Sequence, residues 1–184
     1  VSFSIIFWGP PGTGKTTLAR MIASSSDSVI KEISAVSSGV KDLREIIAGA
    51  NKAKEMGQRT ILFIDEIHRF SKSQQDALLH AVEDGTLTLI GATTENPSFE
   101  VISPLLSRCK ILTLNPLDSD QLKKILENVF TQDVILSKEK MKLGENEKDL
   151  LIQSSGGDAR KMLNTLEVSI NLMGGERVIS KKVL

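Results

Sequence analysis

The chain has 184 residues, 40% of them hydrophobic and 25% charged, enough for one core or for one core with a small satellite domain. Lys plus Arg and Asp plus Glu each number 23, and this zero net charge excludes a protein that holds nucleic acid or membrane by bulk charge alone. The single cysteine, Cys109, excludes an intrachain disulfide, and no apolar run approaches the length of a membrane-spanning helix.

The first element is the apolar run Ser4–Trp8, which reads as a buried strand. The stretch GPPGTGKTT, Gly9 to Thr17, follows at once, and a helix is expected over Lys15–Ser24. Next come a strand at Val29–Ile33 and a helix over Val40–Met56 with Val40, Leu43, Ile46 and Ile47 on one face. A strand at Thr60–Ile64 leads to a helix over Ser73–Glu83 that carries Ala77, Leu78, Ala81 and Val82. Two more strands are expected at Leu87–Ala92 and Lys110–Leu114. Short runs rich in Ile, Leu and Val, alternating with amphipathic helices, predict an α/β fold with a doubly wound, five-stranded parallel sheet. After LNPLDSD the strand signals fade. Asp118 or Ser119 can cap a helix reaching about Thr131, and Asn146–Gln153 and Asp158–Met173 read as two more. The Lys- and Glu-rich segment Val134–Lys148 reads as a solvated helix or loop. A boundary is therefore expected near Pro116, with an α/β domain over 1–116 and a small all-α domain over 117–184. The chain starts at Val1 and enters a strand almost immediately, as an internal fragment of a longer protein would.

Glycine and proline both weaken regular structure, so the stretch after the first strand needs a purpose. Gly9 to Thr16 fits the pattern G-x-x-x-x-G-K-[ST] between a strand and a helix, which is the context a phosphate-binding loop requires. The residues Gly9, Pro10, Pro11, Gly12, Thr13, Gly14, Lys15, Thr16 and Thr17 can turn backbone N–H groups toward phosphate oxygens. The helix that follows adds the partial positive charge of its N-terminus. Lys15 reaches the outer phosphates and Thr16 ligates Mg²⁺. The plainer reading, a glycine-rich turn with a surface lysine, does not account for the flanking strand and helix.

TILFIDEIHR places Asp65 and Glu66 at the end of an apolar strand. Successive strand side chains point to opposite faces, so Asp65 is expected at the Mg²⁺ shell and Glu66 beyond the terminal phosphate, where it orients or deprotonates a water. A GTPase is disfavoured, because NKAK at Asn51–Lys54 lacks the final acid that would read guanine. His68 reads as a loop histidine, with support of the acid pair as the other reading. His80 reads as structural and Cys109 as packing at a strand entrance. Trp8 reads as core or cradle support, and the basic stretches LKKIL and KEKMK read as solvated faces.

Together with GATTENPSFEV, LLSRC and GGDARKMLNTLE, these motifs resemble an AAA+ ATPase of the clamp-loader clade and, within it, the replication-associated recombination protein A family. The resemblance covers nearly the whole chain. It implies an ATP- and Mg²⁺-dependent hydrolase with Glu66 as the catalytic glutamate, Thr94 as sensor 1 and Arg160 in GDAR as sensor 2 on a helical lid. Arg108 in SRC matches an arginine finger given to a neighbouring subunit. Ser34 stands where many relatives have Asn to restrain the catalytic glutamate. The resemblance also implies action on single-stranded or forked DNA at stalled replication forks, with single-stranded-DNA-binding protein as a partner, in the bacterial cytoplasm and nucleoid. It implies a homo-oligomer, a tetramer, built by a domain beyond the lid, and a segment before the first strand that packs on adenine. A clamp-loader subunit, a branch-migration motor, or a nucleotide-gated binding module without turnover remain as alternatives.

Overall fold

The structure, a computed structural model, describes residues 3–36, 38–133, 142–172 and 178–179. It divides into two units. One comprises Val1–Gly9 with Gly14–Leu114, the other Pro10–Thr13 with Asn115–Leu184.

The first unit contains β1 (Ser4–Trp8), α1 (Lys15–Ser24), β2 (Ser28–Ser34), α2 (Val40–Glu55), β3 (Arg59–Asp65) and α3 (Lys72–Glu83). It continues through β4 (Thr88–Thr93), α4 (Pro97–Glu100), α5 (Ser103–Leu106) and β5 (Cys109–Thr113). The strands form one parallel sheet in the order β2-β3-β4-β1-β5. Strand alternation decides its two faces. Ile61, Phe63, Ile5, Phe7, Ile90 and Ala92 point to the side where α1 contributes Ala19 and Ala23. Leu62, Ile64, Ile6 and Leu89 point to the other, against Leu43 of α2, Leu78 and Ala81 of α3 and Leu105 of α5. The central strands are buried on both faces, which is why their sequences are continuous apolar runs rather than alternating ones. The chain leaves β1 for the β2 edge, returns through β3 and β4, then passes to β5 on β1's far side. In open sheets, ligands bind outside the carboxyl ends of the strands at such a switch point.

The second unit holds α6 (Ser119–Gln132), α7 (Glu145–Ser155) and α8 (Ala159–Leu172). They pack around Leu122, Leu126, Leu151, Ile152, Met162 and Leu166. Asp118 starts α6: its carboxylate accepts the Gln121 N–H at 2.8 Å, and Gln121 Oε1 accepts the Asp118 N–H at 3.0 Å, which satisfies two otherwise orphan donors. A two-residue parallel ladder, β6 (Lys142–Leu143) with β7 (Val178–Ile179), adds a feature that the all-α expectation lacked. Most of the expected solvated segment, residues 134–141, lies outside the described residues, as does Met173. In LKKIL, Lys123 pairs with Glu145 of α7 at 3.2 Å, so its ammonium serves a helix-to-helix ion pair.

Candidate nucleotide site

The C-terminal edge of the sheet gathers three strand ends. Because the order runs β3-β4-β1, the end of β4 lies between Gly9, which follows β1, and Asp65, which ends β3. Backbone bonds fix the loop's base: the Gly9 N–H donates to the Thr93 carbonyl (3.2 Å), and the Leu114 N–H donates to the Trp8 carbonyl (2.7 Å). A side chain at Gly9 would put its Cβ 2.2 Å from the Leu114 carbonyl oxygen, so only glycine fits there. Gly12 (φ 69°) and Gly14 (φ 88°) adopt the left-handed conformation that ordinary residues avoid.

The loop ends as α1 begins. Gly14 caps the helix without a side chain, and the first turn contains no acid. The helix therefore presents its N-terminal donors and positive dipole end with no anion of its own nearby in sequence, as an anion site needs. Lys15 is buried, and its Nζ donates to the Gly9 carbonyl at 2.8 Å, curling back across the loop. The Thr13 hydroxyl donates to the Pro10 carbonyl at 3.0 Å. Pro10, Pro11 and Thr17 are placed around this turn, with Pro10, Pro11 and Thr17 exposed and Thr16 half-buried in the first turn of the helix. Thr16 and Asp65 offer hard oxygen donors of the kind Mg²⁺ takes, and the lysine and amides suit a polyphosphate. The residues present fit ATP with Mg²⁺.

Asp65 closes β3, in register with Ser34 of β2. Strand alternation is not what separates the two acids, because β3 stops at Asp65. Glu66 follows in a left-handed turn (φ 54°, ψ 48°), the one non-glycine residue with positive φ among the described residues. Such a conformation costs on the order of 1–3 kcal/mol and persists only where the surroundings impose it. It redirects the Glu66 side chain away from the course a continuing strand would give. Glu66 Oε2 is buried and accepts no hydrogen bond of good geometry. His68 Nδ1 stands 3.2 Å from it and 3.0 Å from Thr93 Oγ1. The Ser34 hydroxyl accepts the Val36 N–H at 3.3 Å.

The end of β4 differs by one residue from the expected position. Thr93 is the last strand residue and fully buried, whereas Thr94 lies one residue beyond the strand and is half-buried. Thr93 Oγ1 accepts the Glu95 N–H (3.0 Å) and donates to the Glu95 carbonyl (3.3 Å), which pins the turn that carries Thr94.

Arg108 is elsewhere. It precedes β5, whose first residue pairs with Ser4 at the start of β1, so it lies at the N-terminal edge of the sheet. Five residues of strand separate the two edges, about 16 Å at the usual rise. Its guanidinium pairs with Glu83 at the end of α3 and donates to the Pro104 carbonyl at 2.7 Å and the Ser107 hydroxyl at 2.9 Å. Within the second unit, Asp158 packs against Gly12, and the Ala159 N–H donates to the Gly12 carbonyl at 3.2 Å. Arg160 is the next residue, exposed in the first turn of α8. The contacts of His68 and Glu83 were not legible in the sequence, since both depend on side chains brought together from separate strands and helices. The neighbourhood of His68 to DE was the one available signal.

The sequence profile of AAA, the ATPase family associated with various cellular activities, matches residues 5–117. The chain belongs to the AAA family. Among relatives of this AAA chain, "Replication-associated recombination protein A" of Escherichia coli (strain K12) is 45% identical over 193 residues, covering 98% of this chain and 42% of the relative. "ATPase WRNIP1" of Dictyostelium discoideum is 43% identical over 180 residues, covering 98% of this chain and 20% of the relative. The chain thus spans about two fifths of the length of the bacterial relative. A solved structure of the Thermotoga maritima RuvB Holliday junction branch migration motor superposes with a TM-score of 0.79 at 29% identity, covering 98% of this chain and 59% of that one.

Proposed function

We propose that this chain is the ATP-binding and ATP-hydrolysing core of a replication-associated recombination protein that acts on DNA at stalled forks. One observation carries the enzymatic part: the glycine-rich loop with Lys15, the Asp65–Glu66 pair and the Thr93–Thr94 turn all sit on one edge of three adjacent strands. ATP binds with its phosphates against the amides of Gly12 to Thr17. Lys15 exchanges the Gly9 carbonyl for a phosphate oxygen. Thr16 and Asp65 would hold Mg²⁺, which would supply neutralising charge on the phosphate oxygens. Glu66 orients the attacking water and takes its proton, while Thr94 holds that water or the terminal phosphate. Arg160, on a lid formed by 117–184, contributes a second positive charge. Preorganised charge of this kind lowers the barrier without costly rearrangement.

Arg108 serves a neighbouring subunit's nucleotide, because its edge of the sheet is remote from its own loop. An arginine supplied in trans is worth about 10³–10⁵ in rate, so an isolated subunit turns over slowly. Assembly as a homo-tetramer, single-stranded or forked DNA as the substrate, a single-stranded-DNA-binding protein as partner and a cytoplasmic location are supported by the similarity to replication-associated recombination protein A. Among the described residues, no helix is long and apolar enough to cross a membrane. The likeness to RuvB supports a second reading, a branch-migration motor. Phosphate release by the full-length protein and by Glu66→Gln, with forked, single-stranded, duplex and four-way-junction DNA, tests the assignment. The expected result is stimulation by forked or single-stranded DNA and a loss of about 10²-fold or more in the variant. Equal background release from both proteins would leave only a nucleotide-gated binding module, and stimulation by four-way junctions alone would favour the motor.

A further inference from the structure

We infer that His68 is a positioning residue for Glu66, tying its carboxylate to the end of β4. The inference rests on the reading of Glu66 as the residue that activates water. Three observations meet here. Glu66 Oε2 is buried with no well-formed hydrogen bond. His68 Nδ1 is within 3.2 Å of that oxygen and 3.0 Å of Thr93 Oγ1. Ser34, on the neighbouring strand, accepts the Val36 N–H with its hydroxyl oxygen.

The hydrogen bonds around Thr93 decide which way His68 works. Thr93 Oγ1 already donates to the Glu95 carbonyl and accepts the Glu95 N–H. A proton on His68 Nδ1 then completes the set: the ring donates to Thr93 Oγ1 and faces the carboxylate with its N–H. The opposite arrangement would turn a nitrogen lone pair toward Glu66 Oε2 and is repulsive. His68 is largely buried, with a side chain 14% exposed, so its ring has little freedom to turn away. Glu66 itself sits in a left-handed turn that the next residues must hold. His68, one residue past Ile67 in the single 3₁₀ turn, holds it from the far side. The carboxylate and the Thr93–Glu95 turn that carries Thr94 thereby share one donor. A shift of that turn on phosphate binding would be felt at Glu66 through Nδ1.

Asparagine and glutamine separate this role from simple packing. Asn places its amide where Nδ1 lies, and Gln places its amide where Nε2 lies. In the full-length protein, His68→Gln is expected to lower kcat for ATP at least tenfold with KM within threefold of wild type. His68→Asn is expected to retain kcat within threefold. Calorimetric binding of Mg-ATP by both variants confirms that each is folded with its loop intact. Equal kcat in the two variants, whether high or low, overturns the inference, as does a loss that appears in KM rather than kcat. Glu66→Gln, measured beside them, keeps the two proposals apart. If it turns over like wild type, the role assigned to Glu66 fails; if it is inactive while His68→Gln is normal, only the positioning role fails.

Discussion

At the scale of single residues, burial and local backbone set the chemistry. Cys109 opens β5 and packs against the core on one face of the sheet, and desolvation there pushes its thiol up to about 11. Thiolate is the reactive form, so at pH 8 roughly a thousandth of the native thiol is reactive, by the logic of the same principle. A disulfide reagent should modify native protein at pH 8 at least tenfold more slowly than protein unfolded in urea; equal rates would contradict the burial. The sign of the linkage follows. The folded state retains the proton above the range where a free thiol loses it, so this contribution to stability is complete below that range and is lost as pH rises toward 11. The glycine-rich loop between β1 and α1 was readable from residue types alone, because few other demands put glycines and a lysine between a strand and a helix. Glu66 was readable as an acid but not in its geometry. Strand alternation assumed that β3 continued, whereas the chain turned left-handed one residue earlier. Thr93 and Thr94 are chemically alike, and only the pairing of Trp8 with Thr93 fixes which one ends the strand.

Elements follow the sequence where they are long and periodic. β1 and α1 have the expected limits, and the other four strands of the five-stranded sheet and the longer helices differ from expectation by one or two residues. Such ends are decided by caps and neighbours rather than by apolar spacing. The four-residue helices α4 and α5 and the turn Ile67–Arg69 are too short to show a 3.6-residue period. The β6–β7 ladder pairs segments more than thirty residues apart and leaves no local signature. Capping, by contrast, was legible to within one residue, at Asp118 or Ser119, and Asp118 is the cap. Asp118→Ala should cost about 1 kcal/mol, read as a lower urea midpoint with unchanged slope. An unchanged midpoint would mean that α6 is held by its packing around Leu122 and Leu126 alone.

For the whole molecule, the two edges of the sheet carry different residues. The C-terminal edge carries the loop, the acids and the β4 turn, while the N-terminal edge carries Arg108, held in place by Glu83. The proposed role has Arg108 serve a nucleotide held by a second copy, since five residues of strand separate it from the C-terminal edge. Full-length Arg108→Ala and Glu66→Gln should each hydrolyse ATP poorly alone. Mixed, they should regain turnover, since some interfaces pair an intact Glu66 with an intact Arg108. No recovery on mixing, in assemblies shown to exchange subunits, would place both residues in one subunit's reaction.

Every proposed role requires a polyphosphate seated in the loop after β1. Calorimetric titration of Mg-ATP into the wild-type protein and Lys15→Ala tests this most directly. Saturable binding by wild type, weakened at least tenfold in the variant, is the predicted result. The same affinity in both would contradict it.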